Sequence, residues 1–171
     1  MDTSEITLAP LTRELCHTLF RRWENDPAVY EEEAAFTPYI YDPAETDRYW
    51  ESRQVPDRVM FAVTLSGEPI GEVQLKRIDR AAGECTLSIH LCCDQVKNRG
   101  FGTAAEKLAL EYAFEELGMQ AVNADALVTN TRSQRVLEKA GFRFLQEENG
   151  FRYYRCACPS GHIDEVGRDG I

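Results

Sequence analysis

The chain has 171 residues, 43% of them apolar and 28% charged, and a formal net charge of −10. That length gives one domain with its own core. The charge excludes a nucleic-acid binder, which would be repelled, and the lack of any run of about 18 apolar residues excludes a spanning helix.

The opening Met-Asp-Thr-Ser-Glu has neither the basic start nor the apolar stretch of a secretory signal, so a cytoplasmic protein is expected. Six cysteines could suggest zinc or disulfides. Cys92 and Cys93 are adjacent and Cys156 and Cys158 are one apart, so neither pair has the two-residue gap of a zinc knuckle. Reduced, buried thiols and no metal are expected.

Glu5 to Ala9 reads as a strand. Thr12 caps a helix to about Glu24, with Leu15, Leu19 and Trp23 recurring four apart on one face. Asn25-Asp26-Pro27 breaks it. Residues 28 to 42 are irregular, and Asp42 then caps a second helix to about Gln54 with Pro43 in its first turn. From Glu24 to Asp57 ten acidic residues stand against two arginines. A segment so charged attracts a cation, and a protonated amine is the simplest one.

Three strands follow, Val59 to Leu65, Ile70 to Ile78 and Cys85 to Cys93, as an antiparallel meander. A helix from about Gly100 to Leu117 ends at Gly118, with Ala105, Leu108, Ala109 and Tyr112 as its buried stripe. Ala121 to Val128 is a further strand. A short helix from Asn130 or Thr131 to Ala140 is stopped by Gly141. Phe142 to Glu147 and Phe151 to Cys156 form a hairpin around Asn149-Gly150. Strands interleaved with helices in this order give a mixed sheet with helices on both sides. The tail from Pro159 adds nothing to the core.

Lys97-Asn98-Arg99-Gly100-Phe101-Gly102-Thr103 lies at the joint between the third meander strand and the longest helix. Two glycines there permit a tight turn and leave N–H groups pointing outward at the positive end of a helix, a setting for a phosphate. Thr103 and Ala104 after Gly102 rule out a Walker loop. Ala105 at the third glycine's place and the late position in the chain argue against a dinucleotide fingerprint.

The joint, with its basic residue, two residues, glycine, one residue and glycine, resembles the motif of the GNAT family of N-acetyltransferases. A second block, Asn130-Thr131-Arg132-Ser133 followed by Val136-Leu137-Glu138-Lys139-Ala140-Gly141-Phe142, is similar to the family's later motif. The resemblance as a whole covers residues 5 to about 157. Ser133 and the opening Trp23-x-x-Asp26-Pro27 look most like the ribosomal-protein alanine N-acetyltransferase branch. The departures are Lys97 for the usual first residue, Asn98 for a frequent glycine, Asp94 for a common proline, and Leu137 where many relatives carry a tyrosine.

The resemblance implies an α/β (α+β) fold: a mixed, mostly antiparallel sheet of six to seven strands flanked by about four helices. It implies an acetyltransferase domain over residues 1–158, with 159–171 as a flexible tail. Acetyl-CoA would lay its pyrophosphate on residues Lys97, Asn98, Arg99, Gly100, Phe101, Gly102 and Thr103. Its pantetheine arm would pair with His90, Leu91 and Cys92 like an added strand, with a bulge near Cys92 or Cys93 splaying the neighbour away. Asn130 would contact the arm from the other side.

A neutral amine would then attack the thioester, which requires a base, a donor to the oxygen and an acid for the thiolate. Glu72, Glu84 and His90 are the base candidates. The Leu91 or Cys92 N–H could serve the oxygen, and Ser133 stands in for the missing tyrosine. Glu31, Glu32 and Glu33 would bind the acceptor, a protein N-terminus, a polyamine or an aminoglycoside-like amine. No nucleic acid, membrane or metal is implied; a homodimer is compatible. The alternative is a non-catalytic acyl-CoA sensor on the same fold, and a more distant one an NAD-dependent enzyme.

Overall fold

The computed structural model describes residues 2–27 and 35–159. Its strands are β1 (Ile6–Pro10), β2 (Val59–Leu65), β3 (Glu68–Asp79), β4 (Glu84–Leu91), β5 (Ala121–Leu127), β6 (Arg143–Glu148) and β7 (Phe151–Ala157). Its helices are α1 (Arg13–Phe20), α2 (Pro43–Ser52), α3 (Phe101–Glu115) and α4 (Thr131–Ala140). The seven strands form one sheet in the order β1-β2-β3-β4-β5-β7-β6. Neighbours are antiparallel except β4 and β5. This is the mixed, mostly antiparallel sheet with four helices expected from the sequence.

The period of two in β2 divides the core between the two faces. Met60 and Ala62 pack with Leu11, Cys16 and Phe20 on the side of α1 and α2. Phe61 and Val63 pack with Val73, Leu75, Ala105 and Ala109 on the side of α3. The helix starts follow from their caps. Thr12 accepts the Leu15 N–H at 3.2 Å, Asp42 that of Glu45 at 2.9 Å and Asn130 that of Ser133 at 3.1 Å.

One boundary and one buried face differ from expectation for tertiary reasons. Helix α1 stops at Phe20 because the chain tightens there: Arg22 and Trp23 donate to Leu19 and Phe20, and the Glu24 N–H bonds the Cys92 carbonyl at 2.7 Å. Helix α3 buries Gly102, Glu106, Leu110 and Ala113 as well as Ala105 and Ala109, while Leu108 and Tyr112 are only partly covered. All six cysteines are free, four of them buried. Among the described residues no helix is long and apolar enough to cross a membrane.

The feature that positions the site is the short contact between β4 and β5. They pair only at Glu84↔Ala121, Cys85↔Val122 and Thr86↔Asn123. Arg155 clasps this closed end, donating to Glu84 at 2.6 Å and to Asn123 Oδ1 at 3.1 Å. Beyond it β4 follows β3 and β5 follows β7, so the two strands part. The irregularity beside this parting is not the bulge expected near Cys92 or Cys93. Register between β3 and β4 is unbroken from Lys76↔Thr86 to Gly71↔Leu91 and shifts between Lys76 and Asp79, at the base of β4. A shift there adds twist where the pairing ends.

Candidate functional site

The parted strands enclose a cavity of about 470 Å³, walled by β4, β5, α3 and the start of α4. Of the residues singled out from the sequence, His90, Leu91, Lys97, Gly102, Asn130 and Ser133 line it. The first motif and the second therefore face each other across one space.

The backbone of β4 offers a free edge to this cavity. Cys92 opposes Ile70 and donates its N–H to the Ile70 carbonyl at 2.8 Å. By the alternation of an antiparallel ladder, His90 and Cys92 turn their amides toward β3, whereas Leu87, Ile89 and Leu91 turn theirs toward the missing partner. The Cys92 amide, one of two candidate donors to a thioester oxygen, is thus already committed. Cys92 also gives its carbonyl to Glu24 and buries its thiol completely. Close approach at the top of this edge depends on Gly71: a Cβ there would lie 2.5 Å from the His90 carbonyl oxygen.

At the mouth, a 3-10 turn (Asp94–Val96) leads into the joint. Asn98 at φ 58° and Gly100 at φ 82° both adopt left-handed backbone, which turns the chain into α3. No side chain caps Gly100, so the amides of Phe101, Gly102 and Thr103 begin the helix without a capping partner. Phe101 itself is buried as core. Lys97 is nearly covered, donating to Asp26 at 2.8 Å and lying 3.4 Å from Asp94. Arg132 completes a four-charge cluster, 3.4 Å from Asp94 and 3.8 Å from Asp26.

A second pocket of about 340 Å³ adjoins the cavity, sharing Trp23, Lys76, Ser88 and His90 with it. Glu72 lies there. It is 2% exposed, accepts from the Tyr49 hydroxyl at 2.5 Å and from Gln74 Nε2 at 3.0 Å, and keeps Oε2 unpartnered. His90 is its cross-strand partner. The imidazole opens onto the cleft, yet protein surrounds it, and this loss of bulk water lowers its pKa against the weaker opposing pull of Glu72. His90 is therefore neutral near pH 7.

Glu84 lies elsewhere. It sits at the closed end, where hydrogen bonds from Arg155 and Asn123 hold its carboxyl below the usual range. It lines neither space and serves the clasp. Glu31, Glu32 and Glu33 lie outside the described residues. Ser133 lines the cavity one helical turn from Leu137, which is buried in its wall.

Glu106 is the residue sequence reasoning missed. It borders the cavity from α3, is 0% exposed, and neither carboxyl oxygen has a partner among the described residues. Burial alone pushes its pKa up to about 8, so it is protonated at neutral pH. Its signal was its place four residues after Gly102, on the same helix face.

The Acetyltransferase (GNAT) domain model matches residues 5–143. A probable N-acetyltransferase of Bacillus subtilis, YjcK, is 42% identical over 97 residues; the match spans 55% of this chain and 53% of that protein. Similar solved structures include a chimera of spermidine N-acetyltransferase SpeG from Vibrio cholerae and hSSAT. It is 17% identical, with a TM-score of 0.73, covering 90% of this chain and 95% of that one. The microcin C7 self-immunity acetyltransferase MccE, solved with acetyl-CoA and AMP, is 16% identical with a TM-score of 0.70, covering 90% and 93%.

Proposed function

Because the chain belongs to the GNAT acetyltransferase family, we propose that it transfers an acetyl group from acetyl-CoA to a primary amine in a ternary complex. The observation that carries this reading is the parting of β4 and β5. It leaves an apolar-walled cavity with an unpaired backbone edge on one side and a basic, glycine-bearing joint at its mouth.

The residues fit acetyl-CoA. The free N–H and C=O groups of Ile89 and Leu91 suit an extended arm that carries amides. The uncapped amides of residues 101 to 103, with Lys97, suit a diphosphate. Asn130 keeps its amide nitrogen for the arm while its oxygen caps α4. When bound, acetyl-CoA supplies an acetyl group activated as a thioester.

The chain's own groups then have distinct tasks. Neutral His90 and Glu72, whose Oε2 is buried without a partner, line the second pocket, where an incoming ammonium must lose a proton. The Leu91 N–H stabilises the developing oxyanion, the Cys92 N–H being taken. The Ser133 hydroxyl returns a proton to the leaving sulfur. Trp23 covers the junction, its ring centre 6.1 Å from that of His90, and excludes water. Release of free thiol from acetyl-CoA, strictly dependent on an added amine, tests the proposal; binding without amine-dependent release contradicts it.

A further inference from the structure

We propose that the amine acceptor also carries an anionic group, a carboxylate or a phosphate, which seats among Arg53, Arg58 and Lys76 while the amine meets Glu72. This rests on the acetyl-transfer reading and narrows its substrate.

Among the described residues the second pocket is lined by three cationic side chains, Arg53, Arg58 and Lys76, and one carboxylate, Glu72. None of the three cations forms an ion pair among the described residues. In a chain with ten more acidic than basic residues this is unexpected, since carboxylates are plentiful. Their hydrogen bonds leave donors over. Arg58 gives Nη1 to Gln74 Oε1 at 3.3 Å, and Arg53 gives Nη1 to the Ser52 hydroxyl at 2.7 Å. The Nε atoms of both arginines are buried and unpartnered. The Arg53 guanidinium is fixed over the Tyr49 ring, 3.8 Å from its centre. Lys76 has its pKa lowered by burial first and further by Arg77, Arg58 and Arg53, with Asp125 opposing.

Gln74 keeps the two signs of charge apart. It accepts from Arg58 through its oxygen and donates through Nε2 to Glu72 at 3.0 Å and to the Tyr49 oxygen at 3.0 Å. A neutral amide between Arg58 and Glu72 prevents them from neutralising each other. Both stay available, one for an anion and one for an ammonium. Gln74 and Glu72 are one pleat repeat apart, about 7 Å. A compact ligand with both charges, such as a dipeptide or an aminoalkyl phosphate, can reach from Glu72 past Gln74 to Arg58. A polyamine would bring further positive charge against three cations that already lack partners, at a cost in binding.

The test uses purified protein in amine-free buffer, saturated with acetyl-CoA, with thiol release measured for glycylglycine, its C-terminal amide, phosphoethanolamine and spermidine. Calorimetry first establishes that acetyl-CoA binds; no binding would overturn the transferase reading and this one with it. Given binding, kcat/KM for glycylglycine or phosphoethanolamine should exceed that for the amide and spermidine by about tenfold or more. The better of the two anionic amines assigns carboxylate or phosphate. In Arg58→Gln the ratio of acid to amide should fall toward one. Equal or better use of spermidine or the amide, an unchanged ratio in Arg58→Gln, or no acetylation of either anionic amine overturns the proposal and leaves acetyl-CoA binding standing.

Discussion

Lys97 Nζ donates to Asp26 Oδ2 at 2.8 Å, across a separation of 71 residues. The lysine proposed for the diphosphate is thus held by a carboxylate, with which a bound diphosphate would compete. Asp26→Asn keeps the shape and removes the competing charge. It should tighten CoA binding by about three- to tenfold at low salt, with the gain shrinking as salt rises. Titrations at two ionic strengths check this; weaker binding in the variant would contradict it.

Glu106 ties the cavity wall to pH. Its folded pKa of about 8 lies above the ordinary 4.5, so the folded chain keeps a proton that the unfolded chain releases. Stability therefore falls as pH rises from about 4.5 toward 8 and levels off above. The effect is at most on the order of 5 kcal/mol. Glu106→Leu should raise Tm at pH 8 and lose that advantage at pH 4.5. A pH-independent difference between the two proteins would refute the assignment.

His90 sets an expectation for the rate. Burial lowers its pKa below the ordinary 6.5, and a base must be neutral to act. The acidic limb of kcat/KM against pH should fall below pH 6.5 and change position or vanish in His90→Gln. An unchanged profile in His90→Gln would exclude it as the base.

Gly71 holds the free edge of β4 in place. Its added Cβ would stand 2.5 Å from the His90 carbonyl oxygen and 2.9 Å from Leu91. Because backbone must yield, Gly71→Ala should cost about 1–3 kcal/mol and weaken acetyl-CoA binding together with stability. Denaturant unfolding and calorimetry on the one variant check both.

Much of this architecture could be read from the sequence because local and tertiary preferences agree there. Thr12, Asp42 and Asn130 cap the helices they were expected to cap, and the alternation in β2 assigns its two faces. The joint at residues 97 to 103 was legible as a turn because Asn98 and Gly100 are residue types that take left-handed backbone readily. What stayed hidden depends on distant partners. Glu84 looked like a candidate base until Arg155, 71 residues away, was seen to engage it. The Cys92 amide looked free until Ile70 took it. Glu106 was passed over because the burial of its face of α3 is set by packing around the cavity. Arg58 and Lys76 meet through the register of β2 with β3, and Arg53 joins them from the end of α2.

Gly102 offers the sharpest trial of the whole reading. A Cβ there would meet Val136 at 3.4 Å and Leu91 at 3.9 Å, so alanine fits while anything larger enters the space between β4 and α4. Calorimetric titration with acetyl-CoA should show one site in the parent protein, slight weakening in Gly102→Ala, and at least about a hundredfold loss, near 3 kcal/mol, in a folded Gly102→Phe. Equal affinity in all three proteins would mean that acetyl-CoA does not occupy the cavity between β4 and β5.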